Sequence, residues 1–156
     1  MPDEVNEGWG ITADESNITE NGNYRLYVSD GTDRIFEING DDFTIKKIIT
    51  VRNDDGSTQD NINELEFVDG HIYANVWYQD IILKINPRTG IIENTWDISS
   101  LADAERAFQQ DQKNRVTADC LNGIAYDKES KSFYLSGKKH HLIFEVTLFQ
   151  NEWSLL

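Results

Sequence analysis

Six positions stand out for the chemistry their side chains could share. Trp9, Asn63 and Asn122 each stand just before a short apolar run, and Gly31, Trp77 and Lys138 each stand just after the run that follows. Brought to one mouth of a fold, they would display two indoles, two carboxamides and one ammonium. An apolar wall with a few convergent polar groups suits a small polar substrate. Each residue also has a plainer role open to it. Asn63 and Asn122 can cap turns, Lys138 and Lys139 can form a solvated pair, and tryptophans such as Trp96 and Trp153 belong in a β-protein core. Other candidates lack the spacing their chemistry needs. His140-His141 has no i, i+4 partner or paired ligand for a metal, Asp41-Asp42 and Asp54-Asp55 do not match a calcium loop, and Cys120 has no second thiol. No metal site is expected from these residues.

The elements that must position these side chains repeat with a period of two. The first pass holds Gly10-Ile11-Thr12, Tyr24 to Ser29, Arg34 to Ile38 and Thr44 to Val51. The second holds Glu64 to Phe67, His71 to Val76, Ile81 to Ile85 and Ile91 to Trp96. The third holds Gly123 to Tyr126, Ser132 to Ser136, Leu142 to Leu148 and Glu152 to Leu156. Leu26-Tyr27-Val28-Ser29, Ile72-Tyr73-Ala74-Asn75 and Phe133-Tyr134-Leu135-Ser136 superimpose, as do Ile35-Phe36-Glu37-Ile38, Ile82-Leu83-Lys84-Ile85 and Ile143-Phe144-Glu145-Val146.

Four antiparallel strands per repeat predict an all-β chain built of β-propeller blades, at 7–51, 61–97 and 119–156. A helical loop over 98–112 interrupts them, its helix running from Ser99 to about Gln110 with Ser100 as cap. An antiparallel sandwich of roughly ten strands is the alternative, but it requires no such repeat phase. Propellers close with about four to eight blades. Three blades therefore predict either a piece of a longer propeller or completion by self-association or a partner chain.

The chain has 156 residues, 28 acidic and 14 basic, for a net charge of −14. Its first 22 residues hold six acids and no Lys or Arg, while the stretch from Glu105 onward balances seven against seven. Such a surface repels phosphate backbones and anionic headgroups, which argues against nucleic acid or membrane partners. The first seven residues have neither the basic nor the apolar region of a signal peptide. Asn17-Ile18-Thr19 is a glycosylation sequon, meaningful only in a secretory protein.

Six segments occur in an order that resembles the glutaminyl-peptide cyclotransferases of plant and bacterial type. They are Glu7 to Thr12, Val28 to Thr32, Asn63 to Gly70, Tyr73 to Trp77, Leu121 to Asp127 and Ser136-Gly137-Lys138. The run Asn63-Glu64-Leu65-Glu66 followed by Ala74-Asn75-Val76-Trp77 is the most specific part, and the resemblance extends from Glu7 to about Val146. It implies a five-bladed propeller that converts N-terminal glutamine of peptides or proteins to pyroglutamate and releases ammonia. It further implies that Trp9 and Trp77 line the substrate pocket beside Asn122, and that Asn63 and Lys138 serve the carboxamide as catalytic donors. The family's catalytic glutamate precedes the segment that begins at Glu7, and Glu7, Glu64 and Glu66 do not match it. The usual Leu-Trp-Pro after Gly-Lys is replaced by Lys139-His140-His141. No cofactor is implied for catalysis, although some members carry a metal ion on the channel axis. A secreted, periplasmic or secretory-pathway location is implied for the full-length protein. A non-catalytic propeller that binds a peptide N-terminus fits the same residues.

Overall fold

Short β-branched runs between Gly, Asp and Asn turns form strands throughout the computed structural model, which describes residues 2, 4–5, 7–18, 20–110, 117–150 and 152–156. β1 (Gly10–Ile18), β2 (Tyr24–Ser29), β3 (Arg34–Asn39) and β4 (Ile45–Thr50) make a first antiparallel sheet in chain order. β5 (Ile62–Val68), β6 (His71–Val76), β7 (Ile81–Ile85) and β8 (Ile92–Asp97) make the second. After α1 (Ser99–Gln110), a third follows from β9 (Leu121–Asp127), β10 (Ser132–Gly137), β11 (Phe144–Phe149) and β12 (Glu152–Leu155). The chain is all-β apart from that one helix among the described residues.

The repeat phase expected from sequence is the register of the sheets. Ile11 pairs with Val28, Leu65 with Ala74 and Ile124 with Leu135. One strand over, Leu26 pairs with Ile38, Ile72 with Ile85 and Phe133 with Val146. The leading strands β1, β5 and β9 pack in that sequence, β5 touching both of the others. Alternation sends one face of each strand inward, so Ile35, Ile62, Ile72, Ile85 and Leu83 fill a core between the first and second sheets. Ile82, Trp96, Leu121, Leu135 and Val146 fill one between the second and third. Each such side chain contributes about 1.5–3 kcal/mol on full burial.

Three local expectations change. Ser100 lies inside α1; the Asp97 carboxylate caps the helix by accepting the Ser99 N–H at 2.9 Å. The helix is more than a loop insertion, because Leu101 and Ala102 join the core with Trp96, Ile98 and Leu121. β1 runs on to Ile18, so the first hairpin is longer strand as well as longer turn. The sequon at Asn17–Thr19 and the end of the helical loop at 111–112 include positions outside the described residues.

Trp96 and Trp153 occupy the core-side roles open to them, and they do so as straps between sheets. The Trp96 indole N–H donates to the carbonyls of Phe149 at 2.6 Å and Glu152 at 2.9 Å, and that of Trp153 to the Asp97 carbonyl at 2.7 Å.

Candidate active site

The leading strands do not enter their sheets smoothly. Between the pairs Ile62–Val76 and Leu65–Ala74, Asn63 and Glu64 stand opposite Asn75 alone. Between Gly137–Leu121 and Ser136–Gly123, Asn122 is left over. Both are β-bulges, which re-aim a side chain and are common beside active sites. Asn63 and Asn122 thus sit in the bulges of β5 and β9, inside the strands where the sequence had placed them just before. Neither caps a turn. Asn63 is buried with its Nδ2 unpartnered, the Oδ1 of half-buried Asn122 is unpartnered, and so is the Nδ2 of buried Asn75. Buried polar groups are seldom left without a hydrogen bond. Three carboxamides at the same end of adjacent strands therefore form the candidate site for a polar ligand.

Trp9 and Trp77 meet there. Their rings cross edge to face with centroids 5.2 Å apart, an attractive aromatic geometry. Gly31 explains how the first indole fits: with φ of +77°, its Cα lies on the ring, and a Cβ there would come within 2.5 Å of it. Only glycine supplies both the left-handed backbone and the missing side chain. Trp77 is anchored by its backbone N–H to the Asn61 carbonyl at 2.9 Å, and its ring lies against that of exposed Tyr78, tilted by 39° with centroids 4.7 Å apart. The sheets are tied at this level. The Ser29 hydroxyl donates to the Asn63 carbonyl at 2.5 Å and accepts the Gly10 N–H at 2.9 Å, and Asn75 Oδ1 accepts the Gly123 N–H at 3.1 Å.

Trp9, Gly31 and Trp77 thus come together directly, Asn63 joins them through Ser29 and Gly10, and Asn122 through the Asn75–Gly123 bond. Lys138 stands apart. Its backbone pairs with Asp119 and Cys120 at the entry to β9, while its side chain is exposed.

Carboxylates below this mouth are unusual. Glu64 Oε2 accepts the Ile124 N–H at 2.9 Å and Glu66 Oε1 accepts the Tyr126 N–H at 3.0 Å. Burial, and then the nearby Glu66 charge, push the Glu64 carboxyl up to about 7, with the Ile124 amide opposing. Glu66 is raised as well, chiefly by burial. A cavity of about 700 Å³ opens at the opposite ends of β1, β5 and β9, lined by Ile11, Thr12, Glu66, Phe67, Tyr126 and Asp127 among others. Four of its acids are engaged: Asp14 accepts from Ser16, Glu15 pairs with Lys128, Glu66 accepts the Tyr126 amide, and Asp127 the Glu129 and Ser130 amides. The indole mouth is the stronger candidate because three of its carboxamides hold buried polar atoms without a partner. Among the described residues no three His, Cys, Asp or Glu side chains converge to hold a metal ion.

One functional group escaped the sequence reading. Glu105, on α1, has no exposed surface, and its carboxylate accepts the backbone N–H groups of His141 and Leu142, each at 2.9 Å. Burial pushes its pKa up, but those amides, Gln109 and the His141 ring outweigh it and hold the carboxyl below its usual range. The signal was present: Leu101, Glu105 and Gln109 share one helical stripe, so an acid occupies a position that the pattern reserves for an apolar side chain.

Residues 3–148 match the glutamine cyclotransferase family model. A glutaminyl-peptide cyclotransferase of Arabidopsis thaliana is 27% identical over 146 residues, covering 94% of this chain and 41% of its own length. The crystal structure of Myxococcus xanthus glutaminyl cyclase superimposes with a TM-score of 0.76 at 31% identity, covering 96% of this chain and 56% of that one. The chain therefore spans about half the length of the relatives it matches. No described helix is long and apolar enough to cross a membrane. With the family model matched along nearly its whole length, the chain belongs to the glutamine cyclotransferase family.

Proposed function

We propose that this chain forms the substrate-binding side of a glutaminyl-peptide cyclotransferase, its three sheets being blades 7–51, 61–97 and 119–156 of a five-bladed propeller. The observation that carries the reading is the crossed Trp9–Trp77 pair beside the unpartnered carboxamides of Asn63, Asn75 and Asn122. In the reaction the α-amine of an N-terminal glutamine attacks its own γ-carboxamide carbon. A C–N bond closes the five-membered ring, the bond to the carboxamide nitrogen breaks, and the proton released by the amine leaves with that nitrogen as ammonia.

The glutamine side chain must be folded back on its own amine, and two crossed indoles provide the walls that hold it so. Asn122 faces the same peptide N-terminus. The carboxamide oxygen gains negative charge in the transition state, and the Asn63 Nδ2 donor and the Lys138 ammonium are assigned to it. The proton shuttle is assigned by resemblance to a glutamate outside this chain, supplied by further blades or by a partner chain. The chemistry requires no cofactor.

Ammonia release from a glutamine-initiated peptide tests the reading. Turnover is expected from the full-length protein, with kcat/KM reduced about 100-fold in Trp77→Ala and in Lys138→Ala. Turnover unchanged in both variants overturns the residue assignment. Absence of turnover above buffer from micromolar protein overturns the enzyme reading, and peptide binding without ammonia release would favour a binding module.

A further inference from the structure

The loop that carries Lys138 is held in an unusual way. In the first sheet the connection between the second and third strands spans 30–33, and in the second it spans 77–80. Both fasten themselves. The Asp30 carboxylate takes the Thr32 and Arg34 side chains, and the Val76 carbonyl takes the Gln79 N–H. In the third sheet the connection spans 138–143; it closes the same turn on itself, His140 N–H to the Gly137 carbonyl at 3.2 Å, and is in addition fastened from outside by α1. Glu105 grips the amides of His141 and Leu142, with its Oε1 also 3.3 Å from the His141 Nδ1. Gln109 Nε2 donates to Glu105 at 2.7 Å and to the Lys139 carbonyl at 3.0 Å, and its Oε1 accepts the Ala118 N–H at 2.5 Å. One helical pair thus holds both the residue after Lys138 and the segment that leads into Asn122. Burying a carboxylate costs several kcal/mol unless its partners are all in place. The arrangement therefore persists only while the loop keeps this one shape.

We infer that Glu105 and Gln109 are positioning residues that fix the Lys138 loop against the Asn122 segment, so that ammonium and carboxamide address the same peptide N-terminus. The inference rests on the proposed function for its substrate; the clamp itself does not.

Glu105→Gln keeps the side-chain shape but turns one acceptor into a donor facing a backbone N–H. Leu101→Ala, in the same helix, loosens core packing without touching the loop and serves as the stability control. In full-length protein, at a temperature where all variants are folded, Glu105→Gln is expected to speed hydrogen exchange at the His141 and Leu142 amides by about 10-fold or more. It is expected to lower kcat for a glutamine-initiated peptide by a similar factor with KM nearly unchanged, while Leu101→Ala keeps kcat within about two-fold. Gln109→Met is expected to give the same split in milder form and decides the matter should Glu105→Gln not fold. Unchanged exchange overturns the clamp. Faster exchange with unchanged kcat, or equal losses of kcat in Leu101→Ala, overturns the positioning role. A wild-type protein that neither turns over nor binds the peptide defeats the proposed function and the substrate role together, while exchange still judges the clamp.

Discussion

The junction between the first and second sheets and the junction between the second and third do the same work with different chemistry. In both, a side-chain oxygen on one leading strand accepts a backbone N–H from the next. At the first junction Thr12 Oγ1 accepts the Phe67 N–H at 2.9 Å. At the second, Glu66 in the aligned position accepts the Tyr126 N–H, and Glu64 adds a bond to Ile124. Ahead of them, Gly10 lies against the Asn63–Glu64 backbone. The first junction is thus close and joined through a hydroxyl, and the second is joined through carboxylates and strapped by tryptophans and a helix. A family repeat fixes which positions must bond across sheets, and leaves open whether a hydroxyl or a carboxylate does it.

The largest test of that contrast is Trp96→Ala. It removes a side chain 4% exposed, its two indole N–H bonds and its stack on Tyr73 at 5.8 Å. A loss of about 3–5 kcal/mol is expected by denaturant unfolding, and a loss below about 1 kcal/mol would mean that the straps matter little. Next comes a pair. Gly10→Ala sets a Cβ 2.4 Å from the Asn63 carbonyl and is expected to cost about 2–3 kcal/mol, whereas Gly123→Ala meets nothing nearer than 3.8 Å and should cost less than about 0.5 kcal/mol. Equal effects in thermal unfolding would erase the difference in closeness. Thr12→Val strands the Phe67 N–H and should cost about 1–2 kcal/mol, and more at pH 8 than at pH 5, because the same hydroxyl also favours the ionised Glu66 carboxylate.

The last test carries the sharpest sign. Because Glu64 holds its proton more tightly in the folded protein than the usual carboxylate range, its contribution to stability is fully present below about pH 4.5. It is lost as pH rises through about 7. Glu64→Gln removes that loss, so its melting temperature should gain on wild type between pH 4.5 and pH 8. A constant gap across that range would place the Glu64 carboxyl back among ordinary ones.

Strand pairing was legible in the sequence because period-two alternation and repeat phase are local and redundant. The Tyr27, Tyr73 and Tyr134 repeats alone fix the register of three sheets. The site was legible in part. Trp9 and Trp77 could be paired by repeat position, and their edge-to-face contact follows from that placement. The bulges were not readable, since a single extra residue leaves the alternation on either side intact. The depth of Asn63 and Asn122 was therefore hidden. Glu105 was missed for a different reason: its partners are backbone amides 36 and 37 residues away, and backbone groups leave no mark in sequence. Capping at Asp97 instead of Ser100 was a choice between neighbouring polar residues that the core decided, by burying Ile98.

The cross-sheet bonds from Thr12, Glu64 and Glu66 all point the same way, from an oxygen on an earlier strand to an amide on a later one. Other cross-sheet bonds run the opposite way, from Ser29 and Trp96 to later carbonyls, so the direction belongs to these leading-strand acceptors and not to the fold as a whole. As the polypeptide leaves the ribosome, a finished sheet presents these acceptors to the leading strand of the next. A lesion at Glu66 would be felt by the sheet made after it, and would leave the one made before it able to form.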